Sequence, residues 1–195
     1  MSAWIRMIPL SEATGLLKTL YDKVTTPHGT VDNVMRAHSL RPHTMDGHVV
    51  LYRSVLHNPD NTLPFWFLEV VASYVSISNR CTYSLTHHWA NASRLIADPV
   101  RAARVREALD AARPELAFEG KERALLDYAR KLTVAVGDMV RADIDALHAA
   151  GCDDGEILEV NQVCAYFNYS NRLLNGLGVT TEGDVIGYYK APHED

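Results

Sequence analysis

Residues 65–79 read Phe-Trp-Phe-Leu-Glu-Val-Val-Ala-Ser-Tyr-Val-Ser-Ile-Ser-Asn, a stretch that is apolar nearly all round and holds one ionisable group, Glu69. Its β-branched residues would also suit a strand, but its length is that of a buried helix. A carboxylate in such surroundings is costly unless it is paired or hydrogen-bonded, so Glu69 requires a partner from elsewhere in the chain.

The rest of the sequence divides into short helical patterns without the sustained alternation that marks half-buried strands, which predicts an all-α, multi-helix bundle. Ser11 is expected to cap a first helix whose apolar face is Ala13, Leu16, Leu17 and Leu20, broken by Pro27, His28 and Gly29. Short helices over 33–40 and 42–56 complete an N-terminal helical extension. A central region, 65–96, joins the apolar helix to a second that starts close to Cys81 and runs to Ile96. Asp98 and Pro99 form an N-cap and first turn for a helix to Leu109. Helices over 121–136, 141–150 and 157–174 follow, the last behind an Asp153–Glu156 capping box and stopped by Gly176 and Gly178. With no linker, low-complexity tract or strong internal repeat, residues 1–195 read as one domain. The polar tail 184–195, with Tyr188 and Tyr189, is free to dock on a neighbouring subunit.

Charge narrows the partners. Lys plus Arg number 19 against 24 Asp plus Glu, a formal charge of -5, and no basic stripe interrupts that balance. Nucleic acid and anionic membrane are poor partners for such a surface, and a small neutral or mildly polar ligand fits better. Cys81, Cys152 and Cys164 match neither a disulfide scaffold nor a zinc module, which points to a reducing compartment. No apolar stretch has the length of a signal peptide or a membrane span, so a cytoplasmic protein is expected. His38, His43, His48 and His57 cross Pro42 and a helix boundary, a poor metal set. No glycine-rich phosphate loop or dinucleotide fingerprint is present, so no cofactor is expected.

One constellation carries chemistry. Cys81, Ser84 and His88 are spaced three and four apart, which places them on one helix face, with His88 about 20° from eclipsing Cys81. Glu69, from the preceding buried helix, can cross to the imidazole. A thiol, a hydroxyl, a proton carrier and an acid that orients it can support general acid–base or thiol chemistry. Cys81 near a helix N-terminus is expected to have a lowered pKa. The plainer reading is a buried core thiol, a helix hydroxyl and a partly exposed imidazole.

These residues resemble the AhpD-like alkylhydroperoxidase and carboxymuconolactone decarboxylase superfamily, in particular its peroxidase-related branch. There a glutamate precedes Cys-x-x-Cys by twelve residues and a histidine follows the second cysteine by four. Glu69, Cys81 and His88 match, and Ser84 stands at the second cysteine. The words His38-Ser39-Leu40-Arg41-Pro42, Asn79-Arg80-Cys81, His87-His88, 166–172 and 175–179 resemble the same branch, so the likeness spans nearly the whole chain. It implies an AhpD-like helical bundle, a homodimer or higher homo-oligomer, an unmetallated site and an antioxidant oxidoreductase. In such peroxidases the second cysteine attacks peroxide, glutamate and histidine relay protons, the first cysteine resolves the sulfenic acid, and an external thiol reductant closes the cycle. Ser84 has no sulfur to oxidise, which argues against two-cysteine turnover.

Three readings follow. Cys81 is a lone redox thiol reducing hydroperoxides with a Glu69–His88 proton relay. Alternatively His88 and Glu69 run non-redox lyase, decarboxylase or hydrolase chemistry on a small metabolite, with Ser84 or Cys81 binding or attacking it. The third reading is an inactive oligomeric binding protein. Trp66, between Phe65 and Phe67, is first of all packing around Glu69 and secondarily a wall for substrate. Tyr83 is placed to line the entrance. Asn168 and Arg172, one turn apart, can bind a substrate carboxylate or serve a structural role. His87 points away from His88 and is expected to pack or meet solvent.

Overall fold

The computed structural model describes residues 2–188, among which there are nine α-helices, three short 3-10 turns and no strand. The helices are α1 (Gly15–Val24), α2 (Asn33–Arg36), α3 (Pro42–Leu56), α4 (Phe65–Ser78), α5 (Thr82–Ile96), α6 (Pro99–Asp110), α7 (Gly120–Val134), α8 (Arg141–Ala149) and α9 (Asp154–Leu177).

The apolar segment is the axis of the bundle. Helix α4 meets α5, α9, α7, α6 and α3, and Phe67, Leu68, Val70, Val71 and Val75 on it are all fully buried. Each such side chain contributes roughly 1.5–3 kcal/mol through removal from water. The apolar stripe Leu125, Leu126 and Ala129 of α7 and Val160, Val163 and Phe167 of α9 close the same core.

The capping chemistry explains most of the boundaries. Asp98 accepts from the backbone N–H groups of Val100 and Arg101, with Pro99 in the first turn of α6. Asp153 Oδ1 accepts from Glu156 N at 2.9 Å, and Asp153 N donates to Glu156 Oε2 at 3.0 Å, completing the capping box of α9. Glu156 also accepts from Lys121 Nζ at 2.7 Å, which ties α9 to α7. Helix α9 ends at Gly178, whose φ of +58° suits glycine, and the Trp4 ring lies where a Cβ would sit. Trp4 N donates to Leu177 O at 2.8 Å and Thr180 N to Ser2 O at 3.0 Å, so the two ends of the described chain are fastened together.

The N-terminal reading needs correction. Ser11 caps no helix; it lies in a 3-10 turn, Leu10–Glu12, closed by bonds from Glu12 N to Pro9 O and from Ala13 N to Leu10 O. Helix α1 starts after Thr14 without a side-chain cap, and Leu16 is 56% exposed while Leu17 and Leu20 are buried. Of the span 33–40 only Asn33–Arg36 is α-helical; turns complete the rest. The described part of the tail docks on its own chain. Asp184 accepts from Asn33 N at 3.0 Å and from the Tyr83 hydroxyl, while Tyr188 donates to Asp32. Tyr189 and the residues after it lie outside the described residues.

A buried imidazole joins α3 to α9. His48 is 3% exposed, its Nε2 lies 3.0 Å from the Tyr166 hydroxyl, and burial pushes its pKa down to about 3. A histidine takes up its proton near pH 6.5 once the chain unfolds. The unfolded state therefore binds the extra proton between about pH 6.5 and 3, and stability present above that window is lost as pH falls through it. Guanidinium denaturation across pH should give His48→Gln, which keeps a partner for Tyr166, a shallower acid slope than wild type, by up to about 1.4 kcal/mol per pH unit. Asp153→Ala should lower the melting temperature by about 2–4 °C through loss of a cap worth roughly 1 kcal/mol, measured calorimetrically.

Candidate functional site

The site begins at the connection between α4 and α5. Asn79, Arg80 and Cys81 reverse the chain, with Arg80 in the left-handed region (φ +53°) and Cys81 N donating to Ser76 O at 2.9 Å. So tight a link lays α5 back along α4, and their polar positions meet in register. On α4, Glu69 and Ser76 lie seven residues apart, two helical turns. On α5, Ser84, His88 and Asn91 follow the matching spacing. Glu69 pairs with His88 and Asn91, and Ser76 with Ser84.

Glu69 has no exposed surface. Its Oε2 is 2.6 Å from His88 Nδ1, the length of a charge-assisted bond, and its Oε1 accepts from Asn91 Nδ2 at 3.1 Å. A carboxylate acceptor places the proton of that bond on Nδ1, which leaves Nε2 as the ring nitrogen able to exchange a proton with a ligand. The Phe167 ring stands edge-on to the imidazole, with centroids 4.5 Å apart, and fixes its plane. Ser84 Oγ is 2.9 Å from Ser76 Oγ; the single Ser76 proton serves either that contact or the Ala72 carbonyl at 2.8 Å. Asn171 Nδ2 donates to Ser76 at 3.3 Å.

His88 and Ser84 open onto a chamber of about 30 Å³, whose wall also includes Asp32, His48, Tyr52, Tyr83, His87, Tyr166 and Ser170. That space admits roughly two water molecules. Beyond Asp32, Met35 and Tyr52 lies an outer groove of about 440 Å³, to which the same three residues contribute.

Cys81 is placed differently from its expectation. It is the N-cap of α5 but only 1% exposed, packed with Ala3, Tyr83, Leu174 and Val179, and it does not line the chamber. Burial pushes its thiol pKa up, and the backbone N–H groups of Ser84 and Tyr83 offset this only in part. Desolvation thus outweighs the helix terminus that predicts a lowered value. Cys152 and Cys164 are also free, buried and raised by burial, and neither lines the chamber.

Of the four residues expected around a substrate, only Tyr83 lines the chamber, and it does so from a buried position, bonded to Asp184 and accepting from Val34 N at 3.0 Å. Trp66 is half-buried against the core and away from the chamber, under the Arg101 guanidinium at 4.8 Å. Arg172 donates to Asn168 O and Oδ1 at 2.7 and 2.8 Å, and Asn168 reaches Thr133, so this pair lines a separate groove with α7. His87 is buried against the chamber, 3.4 Å from Asp184. Asn91 and Ser76 are absent from the sequence reading, although helical spacing from His88 and Glu69 contained the signal. Asp32 and Asp184 gave none, since only the fold brings them beside α5.

Among the described residues no group of three or more His, Cys, Asp or Glu side chains is arranged to hold a metal ion, and no helix is long and apolar enough to cross a membrane. No family model matches the chain, and no curated protein matches it in sequence. Solved structures do match. The alkylhydroperoxidase AhpD core of an uncharacterised peroxidase-related protein from Ralstonia eutropha JMP134 is 21% identical, with 97% of this chain and 98% of that one covered and a TM-score of 0.81. An uncharacterised peroxidase-related protein from Silicibacter sp. TM1040 is 23% identical over 97% and 96%, with a TM-score of 0.77. The debrominase Bmp8 is 15% identical over 94% and 92%, with a TM-score of 0.71. A cysteine-to-alanine variant of Bmp8 has been solved in complex with 2,3,4-tribromopyrrole. What these likenesses establish is the fold: the chain is an all-helical bundle similar to the AhpD core structure.

Proposed function

We propose that this chain is a non-redox enzyme that moves a proton on a small molecule, with His88 as the acid–base group and Glu69 as the residue that orients it. The observation that carries this reading is the lining of the chamber: His88 and Ser84 face it and Cys81 does not. In the reaction His88 Nε2 takes a proton from a carbon next to a carbonyl, the electron pair stays on the substrate as an enolate, and the proton returns to a neighbouring atom. Glu69, bonded at Nδ1, holds the ring and stabilises the imidazolium formed. Ser84 offers a hydroxyl to position the substrate. An isomerase follows this course; in a lyase the enolate pair instead expels a leaving group from the next carbon, and that group takes the proton from His88.

A second reading, hydroperoxide reduction at Cys81 with an external thiol, draws on the fold shared with peroxidase-related proteins and on a chamber with room for hydrogen peroxide. A buried thiol whose pKa is raised is a poor nucleophile, which ranks this reading second. A debrominase has a similar fold, and a shared fold does not fix the chemistry.

Proton exchange tests the first reading. In deuterated buffer, wild type should speed deuterium incorporation into members of a panel of small ketones and lactones, followed by NMR, and His88→Gln should lose at least about a hundredfold of that rate. Equal rates in the two proteins, together with peroxide consumption abolished by Cys81→Ala, would make the chain a thiol peroxidase. Ser84→Cys supplies a thiol on the chamber wall. Mass spectrometry after brief peroxide treatment should find residue 84 sulfenylated in that variant and Cys81 unmodified in wild type; rapid oxidation of wild-type Cys81 would overturn the chamber argument.

A further inference from the structure

Three carboxylates surround the chamber: Glu69 beneath His88, Asp184 beneath Tyr83 and His87, and Asp32 on the wall itself. No lysine or arginine lines it. His48 is uncharged at neutral pH, its pKa pushed down to about 3 by burial, so even with His87 and His88 both protonated two positive rings face three negative groups. The excess falls on Asp32. The residue is 5% exposed; Oδ2 accepts from Tyr188, whereas Oδ1 is buried with no hydrogen-bond partner. His48 Nδ1, on the same chamber, is likewise buried without a partner. Unpaired polar atoms cost stability unless something satisfies them, and no protein group is bonded to this oxygen. A small organic anion would meet like charge here, so the chamber is unsuited to a carboxylate substrate.

We propose that the Asp32 side of the chamber binds the ammonium group of a small amine, Asp32 Oδ1 accepting one of its N–H bonds as the counter-ion. This names the substrate class of the acid–base site and rests on reading the chamber as the place where substrate binds. Asp32 belongs to both chamber and outer groove, so an amine head seated there leaves its carbon body free to lie toward His88 or to extend outward. Asp32 is also pushed up by burial, with Tyr188 and His87 opposing and Asp184 adding to the rise, so ammonium and proton compete for the same oxygen.

Titration of the full chain with methylammonium, methanol and formate, followed through backbone amide shifts of Asn33, Tyr83 and His87, tests this. Methylammonium should bind most tightly of the three, and Asp32→Asn, the neutral isostere, should weaken it by at least about tenfold, the worth of one charge-assisted hydrogen bond. Tyr188→Phe leaves the carboxylate in place and should bind methylammonium at least as well as wild type; this variant decides the matter if Asp32→Asn does not fold. Methanol or formate binding as tightly as methylammonium, an unchanged affinity in Asp32→Asn, or a loss in Tyr188→Phe would overturn the proposal. Failure of amine binding with His88-dependent exchange intact sinks this inference alone. Amine binding without exchange supports it and removes the acid–base reading.

Discussion

The buried carboxylate of Glu69 is the constraint around which the bundle is arranged. It sits in the middle of the most apolar helix, where an unpaired charge would cost several kcal/mol, and α5 satisfies it through His88 and Asn91. That requirement fixes the register of α5 on α4, because a shift of one residue would turn His88 off the facing stripe by about 100°. The tight reversal at Arg80, in a backbone region that L residues rarely adopt, is the local strain that the register demands. Once α5 is held there, Ser84 meets Ser76, Asn171 of α9 reaches Ser76, and Phe167 squares the imidazole. The site and the core are thus built from the same contacts.

The same register separates sulfur from hydroxyl. Cys81 and Ser84 lie three residues apart, close to one turn of helix, yet Cys81 precedes the first turn and its thiol packs with Ala3 and Val179 while Ser84 looks into the chamber. Sequence spacing treats both as members of one face. The N-cap residue is not helical, its φ and ψ of -97° and 92° are extended, and the face rule does not extend to it. This local departure leaves the thiol off the chamber wall.

Elements governed by local chemistry were legible in the sequence. The Asp98 and Asp153 caps, the buried helix at 65–79 and the Glu69–His88 pairing all follow from residue type and spacing within a few turns, and the structure shows each contact. Ser11 caps no helix because the chain closes a 3-10 turn, Glu12 N to Pro9 O and Ala13 N to Leu10 O, before α1 begins. Trp66, three residues and about 60° of helix from Glu69, packs against the core beneath Arg101 and does not line the chamber. Asp32 and Asp184 were invisible for a different reason. They are 152 residues apart in the chain and meet through the return of the tail over α2, a tertiary event that no local pattern encodes.

That return also bears on what the bundle is for. Seating Asp184 under Tyr83 and His87 uses the Asn33 backbone, an asparagine side chain bonded to Thr180 O and Glu182 O, and a phenol. Apolar residues of similar volume would pack such a region at no desolvation cost, and replacing buried ionic groups in that way is often neutral or stabilising. Stability therefore does not explain three buried carboxylates around one small chamber. Glu69 has its imidazole and Asp184 its donors, whereas Asp32 keeps one oxygen without a partner. The asymmetry marks the wall on which the fold leaves a bond to be made by something other than the protein, and it sets the sign of the charge that can make it.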